Sequence, residues 1–137
     1  MPEDRPPLDV AVAVIERAGQ LLISQRLPDD SFGGFWEFPG GKLKEGESME
    51  EGLTREIQEE LGVRITVGIR RMVIEHRYPG RTIRLHCFDC RLLDGEPRPV
   101  ECADCRWVQP HELEQFKFPP ASRPLLDVIA NEAKQSQ

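Results

Sequence analysis

The sequence lacks the positive charge that a protein coating nucleic acid needs. Its 137 residues include 18 lysines and arginines against 24 aspartates and glutamates, which gives a formal net charge of −6. Binding to nucleic acid depends on basic side chains that neutralise phosphates. The composition therefore argues against stable nucleic-acid binding, whereas a small anionic substrate needs only local positive charge.

Long hydrophobic runs are also missing. The longest apolar run near the amino end, Val10 to Ile15, has six residues, whereas a membrane-spanning helix needs about 20. Residues 1–8 are polar and proline-rich, unlike a secretory signal. We therefore expect a cytoplasmic protein with no membrane partner. Hydrophobic residues make up 39% of the chain and no linker divides it, so we expect one domain over residues 1–137.

Several common catalytic motifs are absent. A Walker A phosphate loop would need glycine five residues before Gly41 and serine or threonine after Lys42, but Trp36 and Leu43 stand there. The chain has no G-x-S-x-G elbow and no H-E-x-x-H pair. His86 lies in a strand pattern, where a packed or surface histidine is expected. These absences exclude P-loop, serine-nucleophile and zincin chemistry.

The four cysteines form two C-x-x-C pairs whose spacing is similar in outline to a zinc ribbon. The first pair, Cys87 and Cys90, lies in a segment that alternates like a strand. Residues three apart in a strand point to opposite faces, so these two thiols could not hold one ion together. We interpret them and the second pair, Cys102 and Cys105, as reduced cysteines packed as small hydrophobes, with zinc as the alternative.

The segment from Gly41 to Val63 carries the strongest signal in the chain. Ser48 and Glu51 match the S-x-x-E capping box of a helix start, and Gly62 is placed to end that helix. The predicted buried face consists of four apolar residues, Met49, Leu53, Ile57 and Leu61. Gly52 lies in the helix interior, where glycine costs up to about 1 kcal/mol relative to alanine, and the sequence gives no reason for it.

Three glutamates of this helix share one face. Glu56, Glu59 and Glu60 occupy positions i, i+3 and i+4 and border the apolar stripe. Like charges at this spacing repel by a few tenths of a kcal/mol per pair, roughly, so a cation among them would explain the arrangement. Oxygen ligands alone favour Mg²⁺, Mn²⁺ or Ca²⁺. The alternative is an ordinary solvated acidic face.

The full spacing of the segment resembles the Nudix box at every specified position. The matching residues are Gly41, Glu47, Arg55-Glu56-Ile57, Glu59-Glu60 and Gly62-Val63. The preceding stretch from Trp36 to Lys42 is similar to the one that precedes the box in the MutT-type branch. The resemblance is weak before Val10 and after Leu126. It implies a Nudix-type α/β/α sandwich with a mixed sheet, and Mg²⁺- or Mn²⁺-dependent hydrolysis of a nucleoside diphosphate linked to another group.

The resemblance also implies a role for each of the box residues. It implies a metal set of Gly41, Glu56, Glu59, Glu60 and Glu101. Arg55 and Glu47 would pair to orient the loop and the helix, since arginine offers carboxylates a planar, bidentate partner. The expected cofactor is Mg²⁺, with Mn²⁺ as a substitute.

Water would be the nucleophile, because a metal lowers the pKa of a bound water. The carboxylate that takes its proton is left open between Glu56 and Glu101, and Glu60 completes the catalytic set. Glu101 follows a turn-like segment where MutT-like proteins can carry a further metal-binding glutamate. The alternative for Glu101 is a solvated loop acid.

Substrate contacts are expected from five residues: Arg26, Phe38, Gly40, Arg81 and Ser122. Arg26 ends a predicted strand and matches an arginine that lines the nucleotide site in MutT-like enzymes. Arg81 follows the predicted Pro79-Gly80 turn and has a surface role as its alternative. Gly40 belongs to a predicted Pro39-Gly40-Gly41 turn, whose missing side chains would let a ligand approach the backbone.

The stretch from Phe118 to Ser122 resembles the MutT-type segment that opens the last helix and reads the base. At the position of Ser122, relatives that recognise oxidised guanine carry asparagine, and relatives that act on cytosine nucleotides carry aspartate. This chain departs from both. A serine hydroxyl cannot make the two-point contact of a carboxamide. An ordinary helix N-cap is the alternative role.

The remaining pattern mixes short strands with two further helices. Strands are predicted near residues 10–16, 20–26, 36–38, 66–78, 82–93 and 106–109, a short helix from His111, and a last helix from Ser122 to about Ala133. Intermixed strands and helices indicate a layered α/β domain.

Two functions of different classes follow. The first is a nucleoside triphosphate pyrophosphohydrolase acting on 8-oxo-dGTP, with (d)CTP or 5-methyl-dCTP as the alternative substrate. Its partner would be the small nucleotide alone, and the protein would be a monomer or a homodimer. The second is a non-catalytic module, like the Nudix-like domain of adenine glycosylases, which reads DNA. The intact box and the acidic charge argue against the second.

Overall fold

A computed structural model describes residues 5–135, which form one mixed sheet between two helices. The strands are β1 (Leu8–Arg17), β2 (Gln20–Gln25), β3 (Trp36–Glu37), β4 (Gly40–Lys42), β5 (Arg64–Tyr78), β6 (Arg81–Asp94) and β7 (Asp104–Val108). The α-helices are α1 (Met49–Leu61) and α2 (Arg123–Gln135), and 3₁₀ turns cover Pro110–Gln115 and Pro120–Ser122.

Strand β1 organises the sheet. It pairs parallel to β6 and antiparallel to β4, and its last residues pair antiparallel to β2. The order across the sheet is β3-β2-β1-β6-β5, with β4 against β1 and β7 against β2. The mixture of parallel and antiparallel pairs brings β4 and the loop before α1 to the centre of the sheet.

Both faces of the sheet are covered, which explains the unbroken apolar run in β1. Its alternate residues Ala11, Ala13 and Ile15 share a core with α1 residues Leu53, Ile57 and Leu61. Val12 and Val14 point to the other face and share a core with α2 residues Leu125, Leu126 and Ile129. This follows from the period of two in a strand buried on both sides. The α/β/α sandwich predicted from the sequence is confirmed.

Helix α1 begins and ends as predicted. The backbone N–H of Glu51 donates to Ser48 Oγ at 3.1 Å, and the N–H of Ser48 donates to Glu51 Oε1 at 2.9 Å. Gly62 ends the helix in the left-handed conformation with φ 70°. Gly52 now has a reason, because a Cβ there would overlap the end of the Leu43 side chain and lie 3.1 Å from Glu47 Oε1.

The Pro39-Gly40-Gly41 segment was predicted as a turn, and that prediction is wrong. Gly40–Lys42 forms strand β4, with Gly41 opposite Ala11 of β1. The pairing requires glycine at position 40, since a Cβ there would overlap the carbonyl oxygen of Ala11. The glycines therefore allow two backbones to approach, which a sequence reading cannot distinguish from a turn.

Three predictions near the carboxyl end also differ from the observed elements. The strand predicted at 106–109 begins at Asp104, because Asp104 and Cys105 already pair with β2. The helix predicted from His111 is the 3₁₀ turn Pro110–Gln115. The helix predicted from Ser122 begins one residue later, because the prolines before it favour a separate 3₁₀ turn, Pro120–Ser122.

The cysteines of the first pair do lie on opposite faces, as their spacing predicts. Cys87 belongs to the core on the α2 side and Cys90 to the core on the α1 side. Burial raises the pKa of each thiol to about 12. Cys102 and Cys105 pack against the α1-side core. No helix within residues 5–135 is long and apolar enough to span a membrane.

Candidate active site

A cleft of about 670 Å³ opens between β4, α1 and the loops that follow β2 and β6. The lining contains two sets of residues. The acidic set, called here the acidic end, is Glu37, Glu56, Glu60 and Glu101, of which the first three lie close enough for Glu37 and Glu56 to act on the pKa of Glu60. The apolar set, called here the apolar end, is Val10, Phe32, Phe38, Tyr78, Ile83 and Leu125, in which the rings of Phe32 and Tyr78 are in contact. A larger cavity of about 980 Å³ lies between α2 and strands β5 and β6, but no box residue lines it. The box residues therefore make the smaller cleft the candidate active site.

Glu60 is the most perturbed acid in the cleft. Its Oε1 accepts a hydrogen bond from the N–H of Gly40 at 3.3 Å. Burial, with the nearby carboxylates of Glu37 and Glu56, raises the pKa of Glu60 to about 9. Burial also raises the pKa of Glu37 and of Glu56. The folded protein thus disfavours the charged form of three neighbouring carboxyl groups, mainly through burial, and perturbed acids of this kind are concentrated at functional sites.

The donor chemistry of this end fits a hard divalent cation. Carboxylate and backbone carbonyl oxygens, which Mg²⁺ and Mn²⁺ prefer, dominate the groups present. One thiol, Cys102, also lines the cleft, but burial raises the pKa of Cys102 to about 12, so it is not a ready thiolate ligand. Gly41 leaves space beside Glu56, since a Cβ there would come within 2.5 Å of Glu56 Oε2. Within residues 5–135, however, no three histidine, cysteine, aspartate or glutamate side chains converge as a ready-made chelate.

Arg55 already binds two of the box carboxylates, Glu56 and Glu59, in addition to Glu47. Its Nε donates to Glu47 Oε2 at 2.6 Å and its Nη2 donates to Glu47 Oε1 at 2.9 Å. Its Nη1 donates at 3.0 Å both to Glu56 Oε1 and to Glu59 Oε1. One planar guanidinium therefore ties the loop before α1 to two carboxylates of the helix.

Glu47 is fixed from a second side as well. Its Oε1 accepts from the N–H of Lys44 at 2.7 Å. The Arg55 guanidinium, helped by this backbone hydrogen bond, lowers the pKa of Glu47 to about 2. The structure thus brings Arg55 and Glu47 together as the resemblance implies, while their catalytic role stays a prediction.

Glu59 stands apart from the other box glutamates. Its side chain is 43% exposed, contacts Arg55 and does not line the cleft. It lies one helical step from Glu60, which turns it from the buried edge towards solvent. To join a metal held by Glu56 and Glu60, Glu59 would have to turn away from Arg55.

Glu101 reaches the cleft because its loop closes the end of α1. The N–H groups of Val100 and Glu101 donate to the carbonyl oxygen of Glu60 at 2.9 and 3.1 Å, and the N–H of Arg98 donates to that of Leu61 at 3.1 Å. These carbonyls are the ones a helix end leaves unpaired. The loop is therefore docked on the same turn of α1 that carries Glu60.

The predicted substrate residues divide into two groups. Arg26, Phe38, Gly40 and Ser122 all line the cleft, whereas Arg81 lies at the start of β6 and does not line it. Arg26 donates through Nη1 to Glu37 Oε1 at 2.8 Å. Their binding roles stay predictions.

Phe38 and Ser122 differ in their contacts with the rest of the protein. Phe38 packs its ring 5.4 Å from that of Phe118. Ser122 is only 9% exposed, yet its hydroxyl forms no hydrogen bond with another residue of 5–135 and so remains available to a ligand.

Among the cleft residues that the sequence did not single out are Glu37, Phe32 and Tyr78. A signal existed for Glu37. It lies between two aromatic residues in a predicted strand, where burying a charged side chain is energetically unfavourable. Phe32 and Tyr78 gave no such signal, because they are far apart in the chain and meet only when β5 folds beside the loop after β2.

Comparisons with known proteins agree with this geometry. A family model described as the NUDIX domain matches residues 10–128. The chain is 37% identical over 122 residues to the CTP pyrophosphohydrolase of Escherichia coli, covering 89% of this chain and 90% of that one. It is 34% identical to the 8-oxo-dGTP diphosphatase of Haemophilus influenzae, covering 94% and 96%. The crystal structure of a MutT NUDIX hydrolase from Burkholderia pseudomallei superposes with a TM-score of 0.80 at 29% identity, covering 90% and 98%.

Proposed function

The chain belongs to the NUDIX domain family as a MutT-type hydrolase, and we propose that it cleaves a (deoxy)nucleoside triphosphate to a monophosphate and pyrophosphate. The observation that carries the proposal is one cleft that joins buried carboxylates to an apolar pocket. Phosphates suit the first end, given a cation, and a base suits the second. Since the relatives named above are a pyrophosphohydrolase and a diphosphatase, the non-catalytic alternative is set aside.

The proposed cofactor is Mg²⁺, with Mn²⁺ as a substitute. The residues that would hold it are Gly41, Glu56, Glu59, Glu60 and Glu101. When bound, such an ion neutralises phosphate oxygens and lowers the pKa of a bound water. This set is supported by the box match and, for Glu56, Glu60 and Glu101, by their place in the lining of the cleft.

Residues of the chain itself would accept the proton and contact the substrate. Arg55 fixes the carboxylate of Glu56 and so holds a proton acceptor in place. Glu56 or Glu101 would accept the proton from the attacking water. Arg26, whose guanidinium lies at the cleft, would contact the anionic substrate. Water attacks the α- or the β-phosphorus and gives up its proton to the accepting carboxylate. The P–O bond of the α–β bridge breaks, so the products are the monophosphate and pyrophosphate.

The proposed substrate is 8-oxo-dGTP, with (d)CTP or 5-methyl-dCTP as the second candidate. Relatives with both kinds of name resemble this chain almost equally, at 34% and 37% identity. The test is pyrophosphate release from 8-oxo-dGTP, dGTP, CTP, dCTP and 5-methyl-dCTP with Mg²⁺ present. The largest kcat/KM for 8-oxo-dGTP supports the first candidate, a larger one for a cytosine nucleotide supports the second, and no release from any of them contradicts the proposal.

Ser122→Asn is expected to raise the preference for 8-oxo-dGTP over dGTP. The free hydroxyl of Ser122 lines the cleft, and a carboxamide would present both a donor and an acceptor to a purine edge. A good polar contact is worth about 1–1.5 kcal/mol, or roughly tenfold in the ratio of kcat/KM values. The measurement is that ratio for the wild type, Ser122→Asn and Ser122→Ala.

Two outcomes of this experiment count against a base contact by Ser122. Unchanged kcat/KM for every nucleotide in both variants would mean that Ser122 does not read the base. A selective loss of activity on cytosine nucleotides in Ser122→Asn would favour the pyrimidine-directed alternative.

A further inference from the structure

One aromatic residue in the loop between β2 and β3 has an unusual backbone conformation. Phe32 has φ 56°, in the left-handed region that bulky side chains rarely adopt. Within residues 5–135, the other non-glycine residue with positive φ is Ala18, in the tight turn between β1 and β2. Phe32 also lies in a turn, over residues 31–34, but turn positions with positive φ are normally filled by glycine, asparagine or aspartate rather than by an aromatic residue. Such strain persists where the surrounding structure imposes it, and it is concentrated at ligand sites.

The loop around Phe32 is fixed from within. The carbonyl oxygen of Phe32 accepts from the N–H of Phe35 at 3.0 Å, and the carbonyl oxygen of Arg26 accepts from the N–H of Gly34 at 3.1 Å. Gly33 packs so closely that a Cβ would overlap the carbonyl oxygen of Pro28. The strained conformation is therefore built into the loop, which aims the Phe32 ring in one direction.

That direction is the apolar end of the cleft. The Phe32 ring lines the cleft and remains 38% exposed. Its centroid lies 5.6 Å from that of Tyr78, at an interplanar angle of 51°, and 5.3 Å from that of Phe35. These two rings support Phe32 and leave part of its surface open to the cleft. A single exposed aromatic is ordinary on a protein surface, but one held in strain at a cleft is better explained by a ligand.

We propose that Phe32 is the nucleobase-stacking residue of the cleft, which rests on the proposed triphosphate hydrolysis. Phosphates need the acidic end with Glu56 and Glu60, which leaves the apolar end for the base. Phe32 and Ser122 are close there, because Tyr78 contacts the Phe32 ring and its hydroxyl oxygen accepts from the N–H of Ala121, next to Ser122, at 3.3 Å. Aromatic side chains stack on any base, because every base has a π-face. Phe32 therefore supplies affinity for the base, whereas Ser122 discriminates between bases.

The test is to remove the ring while keeping the backbone conformation. Asparagine tolerates the left-handed region, so Phe32→Asn removes the ring without breaking the loop. We expect KM to rise about tenfold for purine and pyrimidine triphosphates alike, equivalent to about 1.4 kcal/mol. The nucleoside monophosphate, tested as a product inhibitor, should bind about tenfold more weakly, so its KI should rise about tenfold. Pyrophosphate has no base, so its KI should stay unchanged.

Two further variants make the result specific. Ala18→Asn places the same side chain in the same backbone region outside the cleft and should leave KM unchanged. Phe32→Tyr keeps an aromatic ring and should retain the wild-type KM.

Three outcomes would overturn the assignment. The first is an unchanged KM in Phe32→Asn while the wild type is active. The second is a rise in the KI of pyrophosphate as large as that of the monophosphate, which would indicate general damage to the loop. Either leaves the proposed function standing. The third is a wild type that hydrolyses no nucleoside triphosphate, which overturns the proposed function and this assignment together.

Discussion

Glu60→Gln is expected to lower kcat at least ~10²-fold, equivalent to about 2.7 kcal/mol in the activation barrier. The change removes a charge from the set of carboxylates that would hold the metal. It should not lower stability, because burial and the neighbouring Glu37 and Glu56 already make the Glu60 charge unfavourable in the folded protein. A neutral amide of the same shape removes that cost.

The measurement is kcat with saturating Mg²⁺, together with Tm without added metal. Glu50→Gln is the matched control, since Glu50 is an exposed glutamate in the first turn of the same helix. It undergoes the same charge change away from the cleft and should retain wild-type kcat. If Glu60→Gln turned over at nearly the wild-type rate, Glu60 would not be a metal ligand.

Arg55→Lys is expected to lower kcat by about 10²-fold and to lower Tm. Lysine keeps the positive charge but carries its donors on one nitrogen, so it cannot reproduce the fork that joins Glu47 to Glu56 and Glu59. Without the fork, Glu56 is no longer held in position. A misplacement of about 1 Å in a catalytic group can lower the rate about 10²-fold.

The control for Arg55→Lys is Arg17→Lys. Arg17 also binds a carboxylate through both terminal nitrogens, but its partner is the exposed Glu96. The side chains of this pair are 44% and 70% exposed, so the pair contributes little. Wild-type kcat in Arg55→Lys would show that charge alone suffices and that the planar geometry has no catalytic role.

Local rules explain how well helix α1 was predicted. Its start at Ser48 and its end at Gly62 are set by side chains within the helix or one residue from it. The apolar spacing likewise identifies the face that packs on the sheet, where Leu53, Ile57 and Leu61 are buried as predicted, whereas Met49 is only partly buried. Such features depend on neighbours three or four residues away, so the sequence contains them directly.

The features that sequence reasoning missed depend on distant parts of the chain. Gly40 and Gly41 suggested a turn because glycine favours both turns and close strand pairing, and only β1 decides between them. Glu101 was a candidate from the resemblance, but the contact that brings it to the cleft, a backbone hydrogen bond to Glu60, joins residues far apart in the chain. The contact of Phe32 with Tyr78 likewise needs the completed sheet. The sequence thus predicts the acidic end of the cleft better than the end proposed to bind the base.

The Glu59 prediction illustrates the same limit within α1. The i, i+3, i+4 spacing correctly places three carboxylates along one side of the helix, but it cannot show where that side meets the sheet. Glu60 is drawn to β4 by the N–H of Gly40, whereas Glu59 faces solvent beside Arg55. A shared helix face is therefore not yet a shared metal site.

Product analysis with and without metal tests the central claim most directly. The purified protein is incubated with the triphosphate that gives the highest kcat/KM, in Mg²⁺ or in excess EDTA, and the phosphate products are identified by ³¹P NMR. We predict equal amounts of monophosphate and pyrophosphate in Mg²⁺, and no hydrolysis in EDTA. Release of orthophosphate and a nucleoside diphosphate, or the same rate in EDTA, would contradict the account.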